Sequence, residues 1–312
     1  MAISTFDVVK ANAFVGPMPG LTTGQVYYVS NVSTTAIAPG SIGGSNGNDG
    51  KSPQSPFSTL DYAIGQCTAS RGDVIYVLPG HAETVSTAAF IAIDVAGVSI
   101  IGLGRGSLRP TFNFTATAST ITMSAANCSI SNVLLTGGVD AVVSPIVVSA
   151  ADCKIIDVEY RDVTGQCTDG ILTTAAANRL EISGLRWDGA TAAGTNAAIA
   201  IVGGDRLWIH DCKFDGNFAV GAIDVRTTAT TDIEVHDCIA RTRNAADIFI
   251  VDTITASTGT VGPNIYLQLT DNAANITEAC TGATFVYHND ISIVNLAGEL
   301  GMLTNITAST DA

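Results

Sequence analysis

Apolar residues recur along the middle of the chain in columns whose members lie 25 to 27 residues apart. Within each repeat they occur at positions i and i+2, which is the pattern of a strand with one buried face. The first two columns are Cys128, Cys153, Leu180, Leu207 and Ile233, and then Ile130, Ile155, Ile182, Ile209 and Val235. Two more follow within the same repeat, Val133, Val158, Leu185, Cys212 and Cys238, and then Leu135, Tyr160, Trp187, Phe214 and Ala240.

A second family of apolar columns lies between the first. Its members are Ile121, Ile146, Ile171, Ile199, Ile223 and Ile248, each followed two residues later by Met123, Val148, Thr173, Ile201, Val225 and Ile250. Two or three short strands in each repeat predict a parallel β-solenoid, whose coils hydrogen-bond to one another. An earlier coil is predicted to run through residues 98–103, and about seven coils are expected in all.

A bend is predicted inside each repeat, because three residues instead of two separate the second and third apolar columns. Asn, Asp and Gly, which tolerate left-handed backbone, dominate these positions. The bend pairs are Ser131-Asn132, Ile156-Asp157, Ser183-Gly184, His210-Asp211 and His236-Asp237.

The triplet His-Asp-Cys occurs twice, at residues 210–212 and 236–238. In the register above, both cysteines fill apolar ladder positions and both His-Asp pairs are bend residues. His210 and His236 lie one coil apart, about 5 Å, and are the candidates for a shared metal ion.

The segment before the repeats predicts a cap on the first coil. Residues 58–67 resemble a short amphipathic helix, with Ser58 or Thr59 as N-cap, and residues 72–80 predict a strand that ends at a Pro-Gly turn. The expected organisation is an N-terminal arm for attachment (1–25), an entry segment with capping helix and first coil (26–95), the coils (96–262), and last coils with a C-terminal cap or oligomerisation segment (263–312).

Composition narrows the possible partners. The chain has 28 acidic and 14 basic residues, a formal net charge of −14, which repels a phosphate backbone and excludes nucleic acid. The N-terminal sequence has no signal-peptide pattern, and no apolar window is long enough to span a membrane, so no membrane partner is expected. The seven cysteines form no Cys-x-x-Cys pair, so we expect reduced, buried thiols and no cofactor.

Residues 26–85 resemble the entry segment of pectin-lyase-like, right-handed parallel β-helix proteins. The matching residues are Tyr28, Val29, Ser30, Asn48, Asp49, Gly50, Pro56, Phe57, Thr59, Ala63, Gly72, Asp73, Val77, Pro79 and Gly80. The resemblance implies an all-β, single-stranded, right-handed parallel β-helix. It implies no one activity, because that family spans lyases, hydrolases and non-enzymatic virion proteins. The insertion NVSTTAIAPGSIG is similar to phage and prophage versions.

Few acidic residues are placed for glycoside chemistry. Glu159, Glu181 and Glu234 are expected to face solvent on the first strand of their coils, and Glu159 and Glu234, about 14 Å apart, are too distant for a catalytic pair. Asp188 and Asp215 are expected on neighbouring coils about 5 Å apart, and they are the only catalytic candidates. His81 is predicted to be a loop residue.

Lyase action needs a basic residue and a cluster of acids that binds Ca²⁺. Arg186, Arg226, Arg241 and Arg243 are available as bases, but the sequence indicates no three-acid cluster beside any of them. Trp208 is expected to point outward, where it suits either a glycan or a subunit interface, whereas Trp187 belongs to an inward column.

These features favour a non-enzymatic phage virion protein that decorates the capsid or forms a head fibre. The resemblance implies a homotrimer, and the N-terminal segment suits an arm that binds the major capsid protein or another virion protein. The alternative is a tailspike-like protein that binds or cleaves bacterial surface polysaccharide, as a lyase or glycoside hydrolase. A bacterial adhesin is a third interpretation, which the missing signal pattern disfavours.

Overall fold

The computed structural model describes residues 24–32, 43–162, 167–189, 195–242, 248–252, 254, 256–268, 279–280, 284–287, 291–296 and 299–304. The predicted attachment arm, residues 1–25, therefore lies outside the described residues except for its last two. The same holds for most of the insertion after Ser30. None of the helices in the described ranges has the length and apolar character of a membrane span.

Three sheets form the described part of the molecule, and each coil contributes one strand to each sheet. The strands are parallel except for one antiparallel pair at the end of sheet 2. Sheet 1 contains β1 (Val26–Val29), β2 (Val74–Val77), β5 (Ser99–Gly102), β8 (Ser129–Ser131), β11 (Lys154–Ile156), β14 (Glu181–Ser183), β17 (Trp208–His210), β20 (Ile233–His236), β23 (Thr258–Val261) and β26 (Thr284–Tyr287).

Sheets 2 and 3 complete the coils. Sheet 2 contains β3 (Ala82–Val85), β6 (Thr111–Phe114), β9 (Leu134–Gly137), β12 (Glu159–Asp162), β15 (Arg186–Asp188), β18 (Lys213–Gly216), β21 (Ile239–Thr242), β24 (Ile265–Gln268), β27 (Ile291–Leu296) and β28 (Glu299–Thr304). Sheet 3 contains β4 (Ile91–Ile93), β7 (Ile121–Met123), β10 (Ile146–Val148), β13 (Asp169–Thr173), β16 (Ala197–Ile201), β19 (Gly221–Val225), β22 (Ile248–Asp252) and β25 (Ala279–Cys280).

The strand pairing confirms the predicted parallel β-solenoid. Strands β2 to β22 make seven consecutive coils with a strand in each sheet, and β23 to β26 continue the stack. The predicted early coil is confirmed as β5, which pairs with β2 on one side and β8 on the other.

The core consists of side-chain ladders that run from coil to coil. From β2 to β23 the inward ladder of sheet 1 is built from β-branched residues: Ile75, Ile100, Ile130, Ile155, Ile182, Ile209, Val235 and Val261. All are at most 1% exposed. β-Branched side chains suit this position because they pack well on a pleated surface.

The inward ladder of sheet 2 carries the large rings. Its members are Phe112, Leu135, Tyr160, Trp187, Phe214, Ala240 and Tyr266. The rings of Tyr160 and Trp187 stack with centroids 4.3 Å apart. Trp187 is thus inward, as predicted, and the predicted Cys128, Cys153, Cys212 and Cys238 positions are all buried and free of disulfides.

The predicted bend between sheets 1 and 2 is confirmed in each of the five repeats. The second residue of every pair has a left-handed backbone: φ is 52° at Asn132, 52° at Asp157, 64° at Gly184, 55° at Asp211 and 53° at Asp237. Each bend residue also donates its backbone N–H to the next coil, as Asp157 does to the Ser183 carbonyl at 2.9 Å. The bends therefore stack like the strands do.

A second left-handed column precedes the first apolar column, and the sequence pattern did not reveal it. Asn127, Asp152, Arg179, Arg206 and Asp232 have φ between 56° and 59°. Two of these five are arginines, which have no preference for left-handed backbone. Arg179 compensates by binding the Asp152 carboxylate of the preceding coil through its Nε at 2.6 Å.

One predicted column is wrong in its last coil. Strand β22 places Ile250, not Ile248, beside Ile223, and places Asp252 beside Val225. A slip of two residues keeps the alternation of inward and outward side chains, so hydrophobic periodicity cannot detect it. As a result, Asp252 occupies a buried ladder position.

Helix α1 (Leu60–Gly65) packs its buried residues Leu60, Ala63 and Ile64 at the start of the solenoid. Thr59, one of the two predicted candidates, is the N-cap residue, but its side chain makes no capping hydrogen bond. The Glu83 carboxylate accepts the Leu60 backbone N–H instead, at 3.0 Å. The helix start is thereby bonded to strand β3.

Candidate functional site

Asp188 and Asp215, the catalytic candidates, face each other on adjacent strands β15 and β18. Their column continues to Arg161 on one side and to Arg241 on the other. Arg241 binds the Asp215 carboxylate at 3.2 Å. The two acids therefore belong to a column in which cations flank anions, and Arg241 compensates the charge of Asp215.

Glu159 does not face solvent on the first strand of its coil, contrary to the prediction. It begins the second strand, β12, and it is buried. Arg109 binds one carboxylate oxygen at 2.7 Å and Arg161 Nε binds the other at 2.6 Å. The sequence pattern missed this because Arg109 lies two coils earlier in the chain. Glu181 and Glu234 do occupy outward positions on β14 and β20.

His81 lies in the loop before strand β3, as predicted, but it is not exposed. Its side chain is buried, with Nε2 3.0 Å from a Glu83 oxygen and Nδ1 accepting the Asn31 backbone N–H at 3.1 Å. Because Glu83 also caps helix α1, the pair ties the entry segment to strand β3. These contacts give the buried side chains of His81 and Glu83 a structural role.

His210 and His236 lie on adjacent strands with their rings stacked, the centroids 5.3 Å apart and the planes 8° apart. Each ring places Nδ1 within 2.8 Å of the next residue's carboxylate, Asp211 or Asp237. In parallel rings the two Nε2 lone pairs point the same way, whereas a shared ion requires them to converge. The described part of the chain has no group of three or more metal-ligating side chains.

Trp208 completes this group on the outer face of sheet 1. The side chain is 41% exposed, which places it outward as predicted. Its indole Nε1 donates to His236 Nε2 at 2.8 Å, and its ring lies 4.3 Å from that of His210. Both nitrogens of His236 are therefore engaged, which leaves no lone pair of that ring for a metal ion.

A cluster that the sequence reasoning missed surrounds Arg226, just after strand β19. Its guanidinium binds Asp169 of β13 at 2.5 Å and Asp224 of β19 at 3.3 Å. Both carboxylates are buried. We call Asp169, Asp224 and Arg226 the arginine cluster. Two acids thus accompany Arg226, where the sequence indicated no three-acid cluster, and the described residues contain no group of three or more metal-ligating side chains.

The charges of the arginine cluster do not balance, because two carboxylates share one guanidinium. Burial raises the pKa of Asp224 above its ordinary value, an effect that Arg226 opposes and Asp169 reinforces. Burial alone would lower the pKa of Arg226, but the hydrogen bond and charge of Asp169, together with Asp224, raise it. A lyase base must be deprotonated before it can take a proton from the substrate, and these carboxylates hold the proton on the guanidinium.

Asp252, in the next coil, is a further buried acidic residue. Burial raises its pKa, against the lowering effect of hydrogen bonds from Ser257 and the Ile254 backbone N–H. The Ile254 bond is 2.7 Å long. Asp169 and Arg226 are 57 residues apart in the chain, so only the coil register would have revealed their contact.

The sequence matches neither a protein-family model nor a curated protein. Three solved structures are similar in backbone arrangement. A rhamnogalacturonan lyase has a TM-score of 0.49 at 13% identity, over 86% of this chain and 87% of the lyase. A GH136 lacto-N-biosidase from Eubacterium ramulus has a TM-score of 0.40 at 11% identity, over 87% of this chain and 68% of that one. ORF18 of Geobacillus virus E2 has a TM-score of 0.37 at 13% identity, over 78% and 59%.

Proposed function

We propose that this protein is a non-enzymatic structural component of a bacteriophage virion, which decorates the capsid or forms a head fibre. It functions as a homotrimer, and residues 1–25 attach it to the major capsid protein or another virion protein. It is made in the host cytoplasm and acts in the particle.

The non-enzymatic part of the proposal rests on the ion pairs and the raised pKa of Arg226. Among the described residues, this is the arginine that lies between two buried carboxylates, and its raised pKa opposes action as a base. Asp188 and Asp215 lie in a column of compensating charges.

The virion role is supported by the entry segment and by the build of the solenoid. Residues 26–85 resemble the entry segment of pectin-lyase-like β-helix proteins, and the insertion NVSTTAIAPGSIG within them is similar to phage and prophage versions. Core ladders run from β2 to β24, so each coil is held by the next through hydrogen bonds and buried side chains. Such a stack suits a particle component that has to withstand proteases outside the cell.

Purification of phage particles tests the proposal directly. The full chain should co-purify with shells in a fixed stoichiometric ratio, and a variant lacking residues 1–20 should fold but fail to associate. Light scattering of the isolated protein should give the mass of three chains. Retention of the truncated variant on particles, or a monomer at micromolar concentration, would contradict the attachment or trimer part respectively.

A tailspike-like enzyme is the second candidate, because acids and an arginine do gather at Asp169, Asp224 and Arg226. It predicts release of reducing ends or unsaturated uronates from host polysaccharide by the purified protein. Arg226→Lys should then abolish product formation while the protein stays folded. Absence of product with host capsule or wall polysaccharide excludes this candidate.

A further inference from the structure

The outer face of sheet 1 carries an exposed aromatic ring held in a fixed orientation. Trp208 is 41% exposed, yet its indole N–H is bonded to His236 and its ring contacts His210. Asp211 and Asp237 hold the two imidazoles in turn. Because these contacts already fix the side chain, a ligand that stacks on the indole pays little additional ordering entropy.

Carboxylates lie on both sides of this ring. Trp208 pairs with Glu181 in the preceding coil and with Glu234 in the following one, so the three side chains form one outward column. Successive members are about 4.8 Å apart along the column. Lys154 precedes Glu181 in the same column and binds it at 2.6 Å. The column therefore presents an exposed acceptor, the Glu234 carboxylate, on one side of a flat apolar surface, and on the other side the Glu181 carboxylate, which is 17% exposed and bound by Lys154.

We propose that this column, Lys154, Glu181, Trp208 and Glu234, is a binding site for neutral or amino sugars. The apolar C–H face of a pyranose stacks on an indole, and its hydroxyl or ammonium groups donate to flanking carboxylates. Acidic sugars are disfavoured, because Glu234 and the bend carboxylates Asp211 and Asp237 repel a uronate while Lys154 is occupied by Glu181. The site is separate from the arginine cluster, which belongs to sheet 3, and it requires no catalysis.

A second copy of this chain is the competing occupant of the face. Glu234, Asp211 and Asp237 are all exposed around the ring, and the chain as a whole has a net charge of −14. Like charges brought together at an interface reduce affinity, which favours a sugar over another copy of this acidic protein. The proposal extends the virion role and is measured on the isolated protein, so its failure leaves particle association unaffected.

Titration with three tetrasaccharides tests the proposal: chitotetraose (neutral), its deacetylated form (cationic) and tetragalacturonate (acidic). Calorimetry should show binding of the first two and none of the third. Trp208→Ala should weaken binding by about 10-fold or more, and Trp208→Phe, which keeps an aromatic face, should weaken it less. Leu108→Ala, a change at an exposed apolar residue outside this column, should leave binding unchanged.

A charge exchange sharpens the test. Glu181→Gln with Glu234→Gln removes two acids and releases Lys154, so tetragalacturonate should bind to this double variant and not to the wild type. The proposal is overturned if no sugar binds the wild type at millimolar concentration, or if Trp208→Ala binds as the wild type does. It is also overturned if Trp208→Ala changes the mass in light scattering without any sugar binding, since the face is then a subunit interface.

Discussion

The arginine cluster and the Trp208 group both join side chains from different coils, but they differ in exposure. In the arginine cluster, two buried carboxylates compete for one cation, and the net charge is negative. In the Trp208 group, each imidazole has its own carboxylate at an exposed position and the aromatic ring remains open to solvent. The first cluster stabilises the solenoid only while it is complete, whereas the second can be changed with little effect on folding.

Removal of the cation from the arginine cluster should have the largest effect. Arg226→Met leaves Asp169 and Asp224 buried without their partner, and we expect a loss of about 2–4 kcal/mol in the free energy of unfolding. Urea denaturation at pH 7 measures it. The loss should be smaller at pH 5, where the unpaired carboxylates take up protons. Arg226→Lys is the matched control, and a loss below about 0.5 kcal/mol for Arg226→Met would contradict the contrast.

The pH dependence of Asp224 should reveal its competition for the cation. Because its pKa is raised in the folded state above the ordinary value of 3.8, its contribution to stability is complete below that value. The contribution is lost as the pH rises through the raised folded pKa. Between about pH 4 and 7, increasing pH should therefore destabilise Asp224→Asn less than it destabilises the wild type. Urea denaturation across this range measures the difference.

Asp73 serves as an internal control, because its pKa is shifted in the opposite direction from that of Asp224. Burial would raise its pKa, but bonds from Arg71 and the backbone N–H groups of Thr68 and Gln25 outweigh this and lower it. Its contribution is present above 3.8 and is lost as the pH falls through the lowered folded pKa. Equal pH profiles for Asp224→Asn and the wild type would show that Asp224 is not perturbed.

The bend under the Trp208 group should show an intermediate effect. Asp237 has φ of 53°, a region that Asn tolerates and Ala disfavours. Asp237→Ala should lower the free energy of unfolding by about 1 kcal/mol, while Asp237→Asn should change it by less than about 0.5 kcal/mol. Thermal denaturation of both variants separates backbone geometry from charge. Equal losses would mean that the carboxylate charge on His236 matters more than the bend.

Trp208→Ala should have the smallest effect on stability. The ring is exposed and its removal creates no internal cavity, so we expect a change within about 0.5 kcal/mol. Trp187→Ala, at a buried position in sheet 2, should lose about 3–5 kcal/mol and is the matched comparison. Comparable losses for the two tryptophans would show that Trp208 is part of the core.

Most of the fold was predictable from the sequence, because the solenoid repeats one local pattern. Ile130, Ile155 and Ile182 mark the inward ladder, and Asn132 and Asp157 mark the bend, in the same register that the structure has. Each depends on side-chain chemistry and spacing within a coil. The column of Arg179 and Arg206 was not predictable, since arginine carries no signal for left-handed backbone.

The candidate site was less predictable, because its contacts depend on coil register at distant points of the chain. From the triplet repeat, Trp208 and His210 could be placed one coil away from His236. Arg226 and Asp169 could not, because coils of unequal length separate them. The two-residue slip at Ile248 shows the same difficulty, since it leaves hydrophobic alternation intact while it brings Asp252 into the interior.

The last two strands of sheet 2 run in opposite directions. Strand β28 pairs antiparallel with β27, so that Ile291 lies opposite Thr304 and Leu296 lies opposite Glu299. The other pairings of this sheet are parallel. A parallel stack presents the same edge after every coil and can in principle continue through another molecule. Reversal of the final strand changes the spacing of the exposed donors and acceptors, so an incoming first coil does not match it. Among the described residues, sheet 2 therefore ends on an edge that does not act as a template for a further parallel coil.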